Sequence, residues 1–345
     1  MIPYWLLFLF ASGAVLGAHG GRQGRWWVWW TFGAVLLLVV GLRDHVGCDW
    51  LAYEFYLERA ARSDFSELWA LSDPGYQLTN WISAQLGWGV YGNNVLCALI
   101  FTIGLFVFSR QQPLPWLAVA VAVPYLVIVV SMGYTRQAVA LGFVFWALTA
   151  LESRNLRRYL LLVALATLFH KTAVLMIPLG LFLFGRGWAA RAFAVVSVGL
   201  GLWAAFLADY QDTLWENYVQ AAMISQGATI RVMMNVVPAL VLLVFWNRWK
   251  AAFPQSRIWF WMALAAIACV PLLTQASTAT DRIALYLTPL QVVVFSRLPV
   301  LATASATRNV LVAAIILGYG LVLFVWLNFA RHAYCWIPYQ NHLFG

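Results

Sequence analysis

Charge is what this chain has least of. Asp, Glu, Lys and Arg make up 10% of its 345 residues, against about 25% in ordinary soluble domains. Acids are the scarcer sign, 12 against 21 basic residues, and hydrophobic residues fill the gap at 63%. No soluble core needs that much apolar residue, and no stretch between the apolar runs is long enough to fold as a soluble domain. The runs are continuous and do not alternate over roughly 10-residue segments, which excludes a transmembrane β-barrel. Cysteine is nearly missing. The four present are scattered, with no CxxC pair and no His/Cys cluster at metal-ligand spacing, so no metal or other cofactor is expected. The net charge of +9 is not gathered into one patch, so no nucleic-acid partner is expected either.

What is there is an all-α polytopic membrane protein, a single integral membrane domain over 1–345, for which a GT-C-like bundle is one arrangement open. About 20 apolar residues span a bilayer as helix, and shorter runs are tolerated inside a bundle. About twelve transmembrane helices are expected, near 2–18, 26–42, 93–109, 116–132, 135–151, 156–170, 173–185, 190–208, 233–250, 258–274, 283–297 and 308–328. The first lacks a positive n-region and reads as a retained helix, not a cleaved signal. Residues 76–90 carry Gln77, Thr79, Asn80, Ser83 and Gln85 between Asp73-Pro74-Gly75 and the glycines Gly87 and Gly89. They are expected to form an interfacial or re-entrant helix, with a thirteenth span as the alternative.

Basic residues set the orientation. With the N-terminus outside, the inside loops carry Arg22 and Arg25, then Arg110, then Arg154, Arg157 and Arg158. Arg186 and Arg191 follow, then Arg248, Lys250 and Arg257, and finally Arg297 and Arg308, 13 of the 21. Glu152 is the one acid among them. The outer loops at about 43–75 and 209–232 are long and hold most of the acids; each has helical spacing, with Tyr53, Tyr56, Leu57 and Ala60 on one face, and so is expected to hold an amphipathic helix. Cys48 and Cys335 fall on that same outer face, where spacing alone leaves a disulfide open.

Against this bias, several cations stay outside. Arg43 leaves an apolar run and enters Gly47-Cys48-Asp49-Trp50; Arg136 and Arg282 each begin one; Arg231 lies at a loop edge. Ionisable groups at a membrane face the bundle interior or a water-filled cavity, snorkelling to headgroups being the plainer alternative. His170 is either a hydrogen-bonded helix end or a group that donates to phosphate or moves a proton near neutral pH. Several arginines on one face suit phosphates, which they bind in planar, bidentate fashion. A lipid-linked diphosphate is the natural guest, since its head lies at the bilayer surface and its chain within. Trp50, Tyr53, Tyr56, Tyr76 and Trp81 offer stacking faces for sugar rings, and Asp49 offers a base towards a sugar hydroxyl.

Six stretches in order carry a resemblance. They are Arg43 with Val46-Gly47-Cys48-Asp49-Trp50 and Tyr53; Asp73-Pro74-Gly75-Tyr76; Tyr134-Thr135-Arg136-Gln137; Phe169-His170-Lys171-Thr172-Ala173; Asp281-Arg282 with Tyr286; and Ile337-Pro338-Tyr339. Together they resemble the EpsG family of Wzy-like polysaccharide polymerases. Cys48 stands where that family's pattern has Thr, and Trp50 where it has Tyr. The resemblance implies a glycosyltransferase in the bacterial inner membrane with its active site facing the periplasm. Its substrate is an undecaprenyl-diphosphate-linked oligosaccharide, and it moves the growing chain onto the non-reducing end of a new unit. Arg136 and Arg282 are then expected to hold the diphosphates, and Asp49 or His170 to assist the hydroxyl. Arg43, Tyr53, Asp73, Tyr76, Gln137, Lys171, Arg231, Asp281, Tyr286 and Tyr339 are expected to bind substrate. Expected partners are the bilayer, a chain-length regulator and a flippase of the same pathway. A glycan flippase or transporter would place polar residues through the membrane depth, whereas a ligase would use a similar cavity with another acceptor.

Overall fold

The computed structural model describes residues 1–17, 26–184, 227–274 and 277–344, with isolated positions between 187 and 199. The expected span at 190–208 and most of the loop at 209–232 lie outside these residues. Among them nearly every element is helical. In chain order come α1 (Ile2–Gly17), α2 (Trp26–Leu36) with a π-helical extension Leu37–Gly41, β1 (Arg43–Asp44), α3 (Trp50–Arg62), α4 (Pro74–Gln85) and α5 (Gly89–Arg110). Then come α6 (Pro115–Ala122), α7 (Thr135–Glu152), α8 (Leu156–Phe169), α9 (Ile177–Phe184), α10 (Ala228–Val244), α11 (Trp246–Ala252) and α12 (Ser256–Leu272). Last are α13 (Ser277–Leu285), α14 (Pro289–Arg297), α15 (Ser305–Phe329) and β2 (Gln340–Asn341). Pro74 and Pro115 stand at helix starts, where a missing N–H costs nothing. Pro124 follows α6 where the helix continues as a π-helix over Val123–Val130, since proline cannot supply the N–H of an α-helical bond.

By length and apolarity three helices can cross a membrane, Gly89–Arg110, Pro115–Gly133 and Ser305–Phe329. The number rises to five if two bent pairs each count as one span, and shorter apolar helices stand beside them among the described residues. The expected count of about twelve is not confirmed. Two expected spans turn out broken: 233–250 bends by 80° between α10 and α11, and the 283–297 region bends by 43° before Pro289. Apolar runs do not reveal such breaks, because the hydropathy carries straight through them. α4 has 12 residues, about 18 Å of helix, well short of a hydrocarbon core of about 30 Å.

The chain forms two compact units, one of residues 1–146, 165–171 and 295–345, the other of 147–164 and 172–294. In the first, the whole of Trp116–Val130 is buried. Its C-terminal tail comes back to the end of α2. There β2 pairs antiparallel with β1, Arg43 opposite Asn341. A helix end leaves carbonyls without intrahelical partners, and the tail supplies donors: Tyr339 Oη to Val39 O at 2.8 Å, Asn341 Nδ2 to Leu38 O at 2.9 Å, and His342 N to Leu42 O at 2.8 Å. A disulfide joins Cys48 to Cys335 with Cα atoms 5.2 Å apart, so the bridge that the sequence left open is formed. In the second unit α10 packs on α12 and α13, and Trp259 Nε1 donates to Glu152 Oε1 at 2.7 Å.

Candidate functional site

The site in the first unit is built from four short segments, and its foundation is Arg43. This guanidinium is 0% exposed. Its Nη1 donates to Val40 O at 2.6 Å, Nε to Val46 O at 3.3 Å, and Nη2 to Asn94 Oδ1 at 3.2 Å and Thr135 Oγ1 at 2.8 Å. A buried charge is tolerated only when so hydrogen-bonded. Arg43 therefore does not present itself to a phosphate; it ties the end of α2 to the first residue of α7. Tyr53, also buried, ties the same point: its Oη accepts from Thr135 N at 2.9 Å and donates to Gly133 O at 3.0 Å. Burial and the nearby Asp49 push the Tyr53 phenol up to about 12, so it stays a neutral donor. Gly47 completes the corner. It has φ +103°, and a Cβ there would meet Met132 O at 2.6 Å, so only glycine lets the loop lie on the 132–133 backbone.

Arg136 comes one residue after this anchor. Its Nη1 donates to Asp73 Oδ2 at 2.7 Å, and its Cζ lies 4.9 Å from the centre of the Tyr56 ring, a cation–π arrangement. Tyr56, offered by the sequence as a sugar platform, is placed against this arginine. Asp73 stands at the N-cap of α4 with φ +55°, an uncommon conformation for a residue with a side chain. Its carboxylate does not cap the helix. It turns instead to Arg136, and its other oxygen accepts from Lys171 N at 3.3 Å. Burial raises the Asp73 carboxyl, while Arg136 and the Lys171 N–H hold it back. Gly75 allows this meeting: a Cβ would lie 3.0 Å from Leu168 Cβ, so glycine lets the start of α4 close on the end of α8. Gln137 Nε2 lies 3.2 Å from His170 Nε2.

Asp49 is at the N-cap of α3 and also does not cap it. It is exposed, and its carboxylate makes no hydrogen bond among the described residues. The surrounding protein raises its carboxyl through desolvation, opposed by the charge of Arg136. The arrangement offers a half-exposed cation with one nitrogen engaged, an unengaged carboxylate within its field, and a nearby imidazole. It can bind an anion and accept a proton. Among the described residues no group of three or more His, Cys, Asp or Glu is placed to hold a metal ion.

Asp49, Tyr53, Asp73, Arg136, Gln137, His170 and Lys171 are thus gathered in one unit. The other expected residues take different places. Tyr76 is 0% exposed and meets Tyr53 and Tyr56 edge-on, so it packs behind the site. Trp50 is buried with its Nε1 on Glu54, and Trp81 meets Phe65. Tyr339 belongs to the tail, as described. In the second unit Arg231 forms a bidentate pair with Asp281, Nε–Oδ1 2.5 Å and Nη2–Oδ2 2.6 Å. Arg231 and Asp281 therefore satisfy each other. Arg282 is exposed, and buried Tyr286 accepts from Thr172 Oγ1 at 3.5 Å. Sequence reasoning passed over Thr135 and Asn94, the side-chain partners of Arg43. Asn94 carried one signal, an amide set in an apolar helix.

Apolar helices long enough to cross a bilayer, with an arginine–carboxylate pair at the helix ends of the first unit, define a helical membrane protein. The chain matches the EpsG family over residues 26–341 and belongs to that family. No curated protein and no solved structure matches it.

Proposed function

We propose that this protein is a polysaccharide polymerase acting on lipid-diphosphate-linked glycan at the periplasmic face of the bacterial inner membrane. Membership of the EpsG family supports the polymerase class. The observation that carries the site is partly exposed Arg136, engaged through Nη1 by Asp73, whose charge acts on the Asp49 carboxyl without an ion pair between them among the described residues. In the proposed reaction the acceptor hydroxyl of a new unit attacks the anomeric carbon of the growing chain. The bond from that carbon to the diphosphate oxygen breaks, and its electron pair leaves with the lipid diphosphate. Arg136 neutralises the charge that develops there, which a preorganised cation does best. The hydroxyl proton passes to Asp49 or His170. The Cys48–Cys335 bridge beside Asp49 supports the periplasmic placement, because disulfides persist in oxidising compartments.

The test is complementation of a deletion strain, with the glycan read on a gel. Arg136→Ala is expected to leave single-unit product on intact lipid carrier while the protein level in the membrane stays normal. Full-length polymer from this variant would remove Arg136 from the mechanism. In the deletion strain itself, units trapped inside would point to a flippase, and polymer left on the carrier to a ligase.

A further inference from the structure

α2 and α5 enclose a groove of about 520 Å³ within the first unit. At its base Trp29 packs edge-on to Phe106 at 5.1 Å and stacks on Trp116 at 4.3 Å. Gly33 and Ala34 on one wall lack the side chains that would close it, and the opposite wall from Leu99 to Val107 is almost wholly apolar. At one end stand Arg110 and Gln111, both exposed. The Arg110 guanidinium forms no ion pair among the described residues.

This groove is not part of the Arg136 site. Tyr91, near the start of α5, bonds Asp44 at 2.7 Å in the loop that carries Asp49. Arg110 lies 19 residues further along the same helix, about 28 Å away. From Leu99 to Gln111 the groove runs about 18 Å, close to one leaflet of a hydrocarbon core of about 30 Å. An apolar trough one leaflet deep, with a cation at its mouth that forms no ion pair among the described residues, has the chemistry of a single membrane lipid. Arginine matches a phosphate through its planar fork, and exposed Trp30 suits the headgroup level.

We propose that the α2/α5 groove binds one anionic glycerophospholipid, its acyl chain along Ala34 and Ile103 and its phosphate on Arg110. On the orientation expected from the charge distribution this is the cytoplasmic leaflet, where acidic lipids concentrate. The inference does not depend on the polymerase reading.

The full chain, purified in mild detergent, is titrated by native mass spectrometry with phosphatidylglycerol and with phosphatidylcholine of the same acyl chains. The wild type is expected to retain phosphatidylglycerol with about fivefold preference, equivalent to roughly 1 kcal/mol for one arginine at an anionic lipid. Arg110→Gln loses the preference and Arg110→Lys keeps most of it, which separates charge from misfolding. Ala34→Trp, at an exposed position, fills the trough and lowers binding of both lipids. Equal retention of the two lipids by the wild type, or an undiminished preference in Arg110→Gln, would overturn the proposal. So would displacement of phosphatidylglycerol by an equimolar polyprenyl phosphate.

Discussion

Replacing Arg43 distinguishes a residue that builds the site from one that touches substrate. Methionine keeps much of the stem volume and removes four hydrogen bonds, to Val40 O, Val46 O, Asn94 Oδ1 and Thr135 Oγ1. Each bond from a charged donor is worth about 1.5–3 kcal/mol, and loss of the buried cation's desolvation cost returns part of the sum. We expect Arg43→Met to be destabilised by about 3 kcal/mol net. Arg43→Lys keeps the charge, but a single ammonium cannot reach acceptors on both the α2 end and the start of α7. Its expected loss is about half as large. Thermal unfolding in detergent measures stability, and the glycan ladder in complemented cells measures chain extension. Extension should fall in step with the folded fraction, and Arg43→Lys should recover most of it. If Arg43→Lys melted like the wild type yet made only single-unit product, Arg43 would be contacting substrate, and the structural account would be refuted.

Two further outcomes follow from the same site. Asp49 as base must be deprotonated, so chain extension in reconstituted vesicles should decline as pH falls through its pKa. Because desolvation raises that value, the decline should begin above the ordinary aspartate range near about 3.9; a decline confined to ordinary values, or one unchanged in Asp49→Glu, would count against Asp49. Reduction of the Cys48–Cys335 bridge, which spans 287 residues, should cost about 4 kcal/mol, the upper end for a disulfide, and lower the unfolding midpoint. Thiol labelling checks the pairing: Cys48 and Cys335 should react only after reduction, and labelling of either in the oxidised protein would disprove the bridge.

The corner at residues 41–56 shows how far the motifs could be read. Asp49, Arg136 and His170 stood out because polar residues at the ends of apolar runs are costly unless used, Asp73, Gln137 and Lys171 entered only through the family pattern, and all six fall in the first unit. Arg43 stood out for the same reason and turned out to serve the frame. A buried structural arginine and an exposed binding arginine look alike in sequence, since what separates them is the set of acceptors around each. Those of Arg43 include Asn94 and Thr135, 51 and 92 residues away. Arg231 and Asp281 satisfy each other across 50 residues, a pairing that no periodicity reveals. Gly75 enters the sequence reading only within Asp73-Pro74-Gly75-Tyr76, and its role becomes plain only beside Leu168 and Phe169.

The sequence by itself determined the helical membrane class and the family pattern. Both rest on local properties: sustained hydropathy, scarce charge, and short motifs in order. Tertiary structure decided which helices are broken, that Cys48 meets Cys335, and that the tail caps α2. It also decided which arginine faces outward and which is walled in. Those outcomes depend on contacts between residues far apart in the chain, where packing and the pairing of buried polar groups choose among arrangements that local composition leaves equal.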